Sequence, residues 1–201
     1  MQFDYQQKPD FTMLRATFHA PGEQLLVEAS AMVAKDGGVE MKTQIQGGLF
    51  AAAKRKMLGG ESLFQNTFTA TAPGQRLWIA PAPEGDVEAI QCDGVTPVFL
   101  SSGAFVASTP SVTLDTKWGG AKGFFSGAGL VLLKAQGQGP LFFSAYGGIH
   151  AIDVGPGGYI CDTGHIVGFT GGLQYTVQKV GGLKSLMMSG EGLVCNFQGQ
   201  G

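Results

Sequence analysis

The sequence contains the same order of short apolar strands three times, and this internal repetition limits the fold more than any other feature. The three copies span residues 25–43, 98–116 and 159–177. Equivalent residues, such as Ala34, Ala107 and Gly168, are separated by constant steps of 73 and 61 positions. Constant steps over more than a dozen positions indicate three related β-units in tandem, and such a repeat takes precedence over other fold predictions.

The second half of each unit repeats as well. A turn followed by a strand occurs at residues 60–64, 127–131 and 190–194, and a glycine-containing turn follows at 73–74, 137–139 and 199–201. A further strand comes after the first two of these turns, at 77–79 and 141–143, whereas the sequence ends after the third. We therefore expect the missing last strand of the third unit to come from a continuation of the natural chain beyond Gly201 or from another segment such as Phe3–Tyr5.

Alternation of apolar and polar residues predicts the strands themselves. In residues 39–45, Val, Met, Thr and Ile alternate with Glu, Lys and Gln, as in a strand with one buried and one wet face. Glycine, at 33 of 201 residues, is more than twice as frequent as usual and indicates many tight turns. Helical spacing is nearly absent, except that residues 49–58 are predicted to form a turn or two of helix.

These patterns predict one all-β domain over residues 1–201. Its first repeat covers 1–91, its second 92–153 and its third 154–201, the last apparently lacking a strand. Each unit alone would expose sheet edges, so we expect the three to pack around a shared core with pseudo-threefold symmetry. The predicted class is a short double-stranded β-helix or β-sandwich.

Composition excludes several function classes. A net charge of −2 and a pI near 5.9 make nucleic acid an unlikely main partner, because such proteins normally carry a basic surface. No stretch reaches the roughly 18 apolar residues of a membrane-spanning helix, and the polar segment 1–10 is not a secretory signal. The three cysteines form no CxxC pair and indicate a reducing compartment. These features predict a cytoplasmic protein, with peripheral contact to a membrane left open.

The three histidines are the first candidates for a metal site. A β-helical fold invites comparison with cupins, but the sequence has no HxH pair. The best remaining set has the ligand types of a 2-His-1-carboxylate site and consists of His150, Asp153, Asp162 and His165. His165 aligns with Ala31 and Ala104 of the other units, which indicates an ordinary strand position. The sequence therefore favours ordinary histidines over metal ligands, and no metal-binding residue is predicted.

Covalent catalysis and phosphate binding also lack a motif. No GxSxG or SxxK nucleophile and no phosphate-binding GxxxxGK[ST] loop occurs, and the many Gly-Gly pairs are explained as turns. No catalytic or cofactor-binding residue and no cofactor is predicted. The sequence leans towards a protein that is not an enzyme.

The most informative feature outside the predicted core is a basic and apolar segment in the middle of each unit, which we name tips 1, 2 and 3. Their candidate interaction residues are Lys54, Arg55, Lys56, Met57 and Leu58 in tip 1, Trp118, Lys122, Phe124 and Phe125 in tip 2, and Lys184, Leu186, Met187 and Met188 in tip 3. With pseudo-threefold symmetry the tips would share one rim, where they could rest on an anionic membrane surface or a protein partner. Alternatively, their apolar residues fill the core or a subunit interface, which would make the protein a homo-oligomer.

One run resembles the signature of a known family. The sequence GLFAAAKRKMLGGESLF at residues 48–64 is similar to that of bacterial and archaeal proteins related to the eukaryotic protein "altered inheritance of mitochondria, number twenty-four". The Gly-Glu-Gly-Leu run at 190–193 is similar to the family's late motif, and the resemblance covers essentially the whole chain. It implies three tandem units like that of the tryptophan RNA-binding attenuation protein (TRAP-like units).

The same resemblance implies little about activity. The family brings no established catalytic residues, and its eukaryotic branch is associated with organisation of the mitochondrial inner membrane. The absence of a presequence here implies a prokaryotic member. Family members usually continue past the last glycine turn with another strand, where this sequence ends at Gly201.

Three functions remain open. The preferred hypothesis is a non-catalytic scaffold or adaptor that works through the tips on a membrane surface or a partner. The second is binding of RNA or a small ligand by analogy with the attenuation protein, although fold analogy is a weak argument for function. The third is a cupin-like metal-dependent enzyme that uses His150 and His165.

Overall fold

The computed structural model describes residues 1–45, 64–115, 132–179 and 193–201, and within them the protein is all-β, as predicted. The strands of the N-terminal part are β1 (Gln2–Gln6), β2 (Met13–Thr17), β3 (Gln24–Glu28), β4 (Met32–Lys35), β5 (Glu40–Ile45), β6 (Phe64–Thr69) and β7 (Arg76–Ile79). The middle part contains β8 (Gly85–Asp93), β9 (Val98–Ser101), β10 (Phe105–Ser108), β11 (Val112–Asp115) and β12 (Leu132–Tyr146). The C-terminal part contains β13 (Tyr159–Asp162), β14 (Gly168–Thr170), β15 (Leu173–Lys179) and β16 (Leu193–Gly199).

All pairings between these strands are antiparallel and form three sheets. The first has the order β1-β2-β7-β4, and the third has the order β13-β16-β15. The largest runs β14-β9-β12-β10-β3-β6-β5, with β8 and β11 also paired to β12. Strand β12 is therefore the centre of the domain, because four different strands hydrogen-bond along its fifteen residues.

The same three-strand arrangement occurs in each predicted repeat. In each repeat, two strands pair with the strand that follows the tip. One of the two is the strand just before the tip, and the other lies earlier in the repeat. The pairings are β5 and β3 with β6, β11 and β9 with β12, and β15 and β13 with β16. The registers correspond too, as in the pairs Met41–Phe68, Leu114–Ala135 and Tyr175–Phe197. This is the arrangement that three tandem units require, while the division at 1–91, 92–153 and 154–201 stays a prediction.

Two expectations about the chain differ from the structure. The segment Phe3–Tyr5 does not complete the third unit, because β1 pairs with β2 and β2 with β7, which extends the first sheet instead. The predicted turn at 137–139 is the interior of β12, where Gly137 and Gly139 have φ angles of 139° and 141°. Glycine tolerates this backbone, so the strand passes from its pairing with β9 to its pairing with β8 without a turn. The predicted helical segment 49–58 lies outside the described residues.

In the part of the chain that the structure describes, the core consists of three apolar clusters, and β12 contributes a residue to each. Because successive side chains on a strand point to opposite faces, Phe142 packs in the first cluster and its neighbour Leu141 in the second, and both are buried. The ring of Phe3 lies 4.6 Å from that of Phe142, which attaches β1 to this core. The third cluster lies around Phe169 and Phe197, whose rings are 5.1 Å apart.

Candidate interaction surface

Each tip connects the two strands of one antiparallel pair. Residues 46–63 join β5 to β6, residues 116–131 join β11 to β12, and residues 180–192 join β15 to β16. The paired residues closest to the three tips are Ile45–Phe64, Asp115–Lys134 and Lys179–Leu193. Both ends of every tip are thus anchored on neighbouring strands of the same kind of hairpin, which is what equivalent tips require.

All thirteen candidate residues of the tips lie outside the described residues. These are Lys54, Arg55, Lys56, Met57, Leu58, Trp118, Lys122, Phe124, Phe125, Lys184, Leu186, Met187 and Met188. Their exposure and their placement on one rim stay predictions. The structure establishes where the chain enters and leaves each tip.

The charge of the protein is divided unevenly between the tips and the rest. Six of the 13 basic residues but only two of the 15 acidic residues lie in segments 46–63, 116–131 and 180–192. The three segments together carry a formal charge of +4, and the remainder of the chain carries −6. A protein with a slight negative net charge therefore has a local excess of positive charge in the sequence of three connecting segments.

Two arginine side chains in the described strands are paired with carboxylates. Arg76 pairs with Asp36 at 3.1 Å, and Arg15 pairs with Asp4 at 3.0 Å. The hydrogen bond from Arg76 holds the pKa of Asp36 below its usual value, and the bond from Arg15 does the same for the pKa of Asp4. The charges of these two arginines are therefore locally neutralised by carboxylates of the fold.

The loop between β1 and β2 contacts a buried carboxylate of β8 that the sequence did not single out. Asp86 is almost fully buried, accepts hydrogen bonds from the Thr12 hydroxyl at 3.1 Å and the Val87 amide at 2.8 Å, and lies 3.3 Å from the Lys8 ammonium. Partial burial disfavours the charge on Lys8, but its bonds to Glu88 and Asp86 outweigh this and raise the pKa of Lys8. Every partner here belongs to the fold, so the cluster fastens the β1–β2 loop to β8.

The proposed histidine set does not form a metal site. His150, Asp153 and His165 are exposed, and within the described residues no three His, Cys, Asp or Glu side chains come close enough to hold a metal ion. Asp162 has a local role, since its side chain accepts the Gly164 amide at 2.8 Å. The prediction that His165 occupies a strand is wrong: it ends a short 3-10 turn, Thr163–His165, before β14. Like Ala31 and Ala104, His165 precedes a strand, but the hydrogen bond from the Gly164 amide to Asp162 forms a tight turn at this point.

A shallow depression lies where the linker into the third repeat meets β16. It has a volume of about 390 Å³ and is lined by Asp153, Val154, Gly155, Gln200 and Gly201. Its walls are held together by two backbone hydrogen bonds between Val154 and Gly201, of 2.8 and 3.3 Å. One carboxylate and a mainly backbone lining give it little chemistry with which to recognise a particular small ligand.

Two of the three cysteines face each other across β13 and β16. Cys161 pairs with Cys195 in the register, and Cys195 is fully buried. Burial, with a smaller contribution from the nearby Cys161, raises the pKa of Cys195 to about 11. A thiol that resists ionisation to this degree is a poor nucleophile, so this pair is a packing feature in the reduced protein.

The buried thiol predicts a loss of stability at high pH. The folded protein holds the Cys195 proton more tightly than the unfolded chain, so this contribution is complete below pH 9 and is lost as the pH rises towards 11. The loss is expected to be at most about 3 kcal/mol. Chemical denaturation at pH 8 and pH 11 should show a smaller pH-dependent loss in Cys195→Ala than in the wild type. Equal losses in the two proteins would contradict the assignment to Cys195.

No helix within the described parts of the chain is long and apolar enough to cross a membrane.

Comparison with known proteins matches nearly the whole chain to one protein family. The family model described as "Mitochondrial biogenesis AIM24" matches residues 3–201. An uncharacterised protein of Streptococcus pyogenes serotype M6 is 27% identical over 209 residues, covering 100% of this chain and 83% of that protein. The crystal structure of another Streptococcus pyogenes protein, a structural genomics target, aligns with a TM-score of 0.78 at 26% identity, covering 99% of this chain and 89% of that one.

Proposed function

The chain belongs to the mitochondrial biogenesis AIM24 family, and from this premise we propose that it is a non-catalytic adaptor that rests on an anionic membrane surface through tips 1, 2 and 3. The observation that carries the proposal is the concentration of positive charge in the tips against an acidic remainder. The equivalent hairpins that hold the tips support it further.

Electrostatic attraction supplies the long-range part of the binding. A basic side chain close to an anionic bilayer contributes about 1 kcal/mol, so six such residues, offset by two acidic ones, give a few kcal/mol in total. The acidic remainder of the protein is repelled by the same surface. This combination orients the molecule with its tips towards the lipid.

The apolar tip residues supply the short-range part. Each tip places large apolar side chains beside its basic residues, as in Phe124 and Phe125 after Lys122. Residues of this type insert at the boundary of headgroups and acyl chains, while lysine remains among the headgroups. Three weak contacts on one body act together, because binding of one tip raises the effective concentration of the others at the surface.

The proposal predicts binding that depends on lipid charge and salt. The protein should co-sediment with vesicles that contain a large fraction of phosphatidylglycerol, but much less with pure phosphatidylcholine vesicles. Binding should weaken between about 10 and 150 mM salt, where the Debye length falls from about 30 to 8 Å. A protein that stays in the supernatant with anionic vesicles at low salt would overturn the proposal.

A matched pair of variants tests whether the tips are responsible. The triple variant Lys54→Gln, Lys122→Gln and Lys184→Gln removes one charge from each tip and should lower the partition coefficient about 100-fold, from about 1 kcal/mol per charge. The control Lys35→Gln, Lys42→Gln and Arg76→Gln removes three charges from described strands and should change it less than threefold. Equal losses would show that only net charge matters and would exclude the tips as the contact.

A further inference from the structure

The predicted repeats are joined to one another by a repeated strand contact. Between the first and second, β10 pairs with β3 through Ala107–Val27 and Ser108–Leu26. Between the second and third, β14 pairs with β9 through Gly168–Leu100 and Phe169–Phe99. Adding 73 to the residue numbers on β3 and 61 to those on β10 gives the residue numbers of the second junction. The two junctions therefore use the same strands of the unit in the same register.

At each end of this series, one strand lacks the contact that its counterparts make. Strand β4 is the counterpart of β10 and β14, and strand β13 is the counterpart of β3 and β9. Within the described residues, β4 pairs only with β7 and β13 only with β16, so each has one open edge. The repeated register would place Ala34 opposite Cys161 and Lys35 opposite Ile160.

The side chains at these open edges are apolar but exposed, unlike their counterparts at the junctions. Val33 on β4 is 55% exposed, whereas its counterpart Val106 on β10 is fully buried. Ile160 on β13 is 59% exposed, whereas its counterpart Phe99 on β9 is 6% exposed. Apolar residues at these positions are thus buried at the two internal junctions and exposed at the two open edges. An edge strand with exposed apolar residues is a template for pairing with another chain.

The two open edges also carry opposite charges at neighbouring positions. In the repeated register, Lys35 lies diagonally across from Asp162, a distance that a lysine side chain can bridge. Pairing would join the β1-β2-β7-β4 and β13-β16-β15 sheets into one continuous sheet. We propose that copies of this protein associate head to tail, with the β13 edge of one copy on the β4 edge of the next, in the register of the internal junctions. This inference does not rest on the proposed membrane function.

A single substitution tests the register directly. Because Ala34 and Cys161 would be opposed, the thiol introduced by Ala34→Cys should form an intermolecular disulfide with the Cys161 of another copy under mild oxidation by oxidised glutathione. The test is made with Cys195→Ala also present, so that Cys161 cannot form a disulfide with Cys195 instead. Non-reducing gels should then show dimers or larger species, and Ala34→Cys combined with Cys161→Ala should remain monomeric. Lys35→Cys, whose side chain lies on the other face of β4 from that of residue 34, should cross-link at least tenfold less.

Two results would overturn the proposal. A disulfide between positions 34 and 161 that leaves the protein monomeric would mean that the edges close within one chain. The absence of any cross-link involving Cys161 would mean that they do not meet.

The mass of the unmodified chain gives a second readout. Sedimentation velocity should show a mass that increases with concentration, and Ile160→Lys should weaken association tenfold or more, because a lysine on the edge disfavours strand pairing. Since Ile160 is exposed, this variant is expected to fold, which circular dichroism checks. A wild type that remains monomeric at all concentrations would contradict the proposal.

Discussion

The substitution Gly137→Ala is expected to lower the free energy of unfolding by on the order of 4 kcal/mol. Gly137 lies inside β12 with a φ of 139°, a backbone conformation that alanine rarely adopts. A Cβ atom at this position would be 1.9 Å from the carbonyl oxygen of Ser111 and 2.9 Å from the Cα of Val112. Both contacts involve backbone atoms, which cannot rotate away as a side chain can. The substitution must therefore displace the start of β11 from β12, at the end of this hairpin away from tip 2.

The control for this prediction is a glycine with a positive φ and open space around it. Gly74 has a φ of 80° and no atom within 4 Å of an added Cβ, so Gly74→Ala carries backbone strain without overlap. It should cost about 1 to 2 kcal/mol. Urea denaturation of both variants separates the two contributions. Equal costs would show that β11 moves aside freely and that the close approach at Gly137 is not restrictive.

The second large effect is expected from Phe142→Ala, which should destabilise the protein by about 3 to 5 kcal/mol. Phe142 is fully buried on the central strand β12, and its ring lies against that of Phe3. Truncation removes buried apolar area and leaves a cavity between β12 and β1, because the paired strands around it cannot collapse into the space. The midpoint of urea unfolding should fall accordingly.

The matched control is Phe11→Ala, which removes the same atoms from a side chain that is 64% exposed. A surface truncation of this kind usually changes stability by about 0.5 kcal/mol or less. If Phe142→Ala were as mild as Phe11→Ala, the central position of β12 in the core would be wrong.

The strand content of the fold follows from the sequence because its signals are local. Alternation in residues 39–45 and the apolar runs of each repeat predict strands where β5, β3 and β9 occur. The interior of β12 could not be predicted, because Gly137-Gln138-Gly139 has the composition of a turn. Glycine permits both a turn and a sharply bent strand, and the choice depends on the distant partners β8 and β11.

The two candidate interaction surfaces also differ in how far the sequence predicts them. Comparison of the repeats identified the three tips as equivalent segments, and their charge follows from composition alone. The open edges of β4 and β13 were missed, because Val33 and Ile160 are as apolar as core residues and pairing between repeats is a long-range property. The available signal was the predicted repeat itself, since a series of three tandem units has two ends.

The fluorescence of Trp118 tests the central claim most directly, because the protein has two tryptophans and this one is in tip 2. In Trp78→Phe, the remaining Trp118 emission should shift to shorter wavelength on phosphatidylglycerol vesicles and be quenched by bromine-labelled acyl chains. In Trp118→Phe, the remaining Trp78 in β7 should show neither change. If Trp118 emission stays unchanged on vesicles that sediment the protein, tip 2 does not contact the membrane and the adaptor proposal is contradicted.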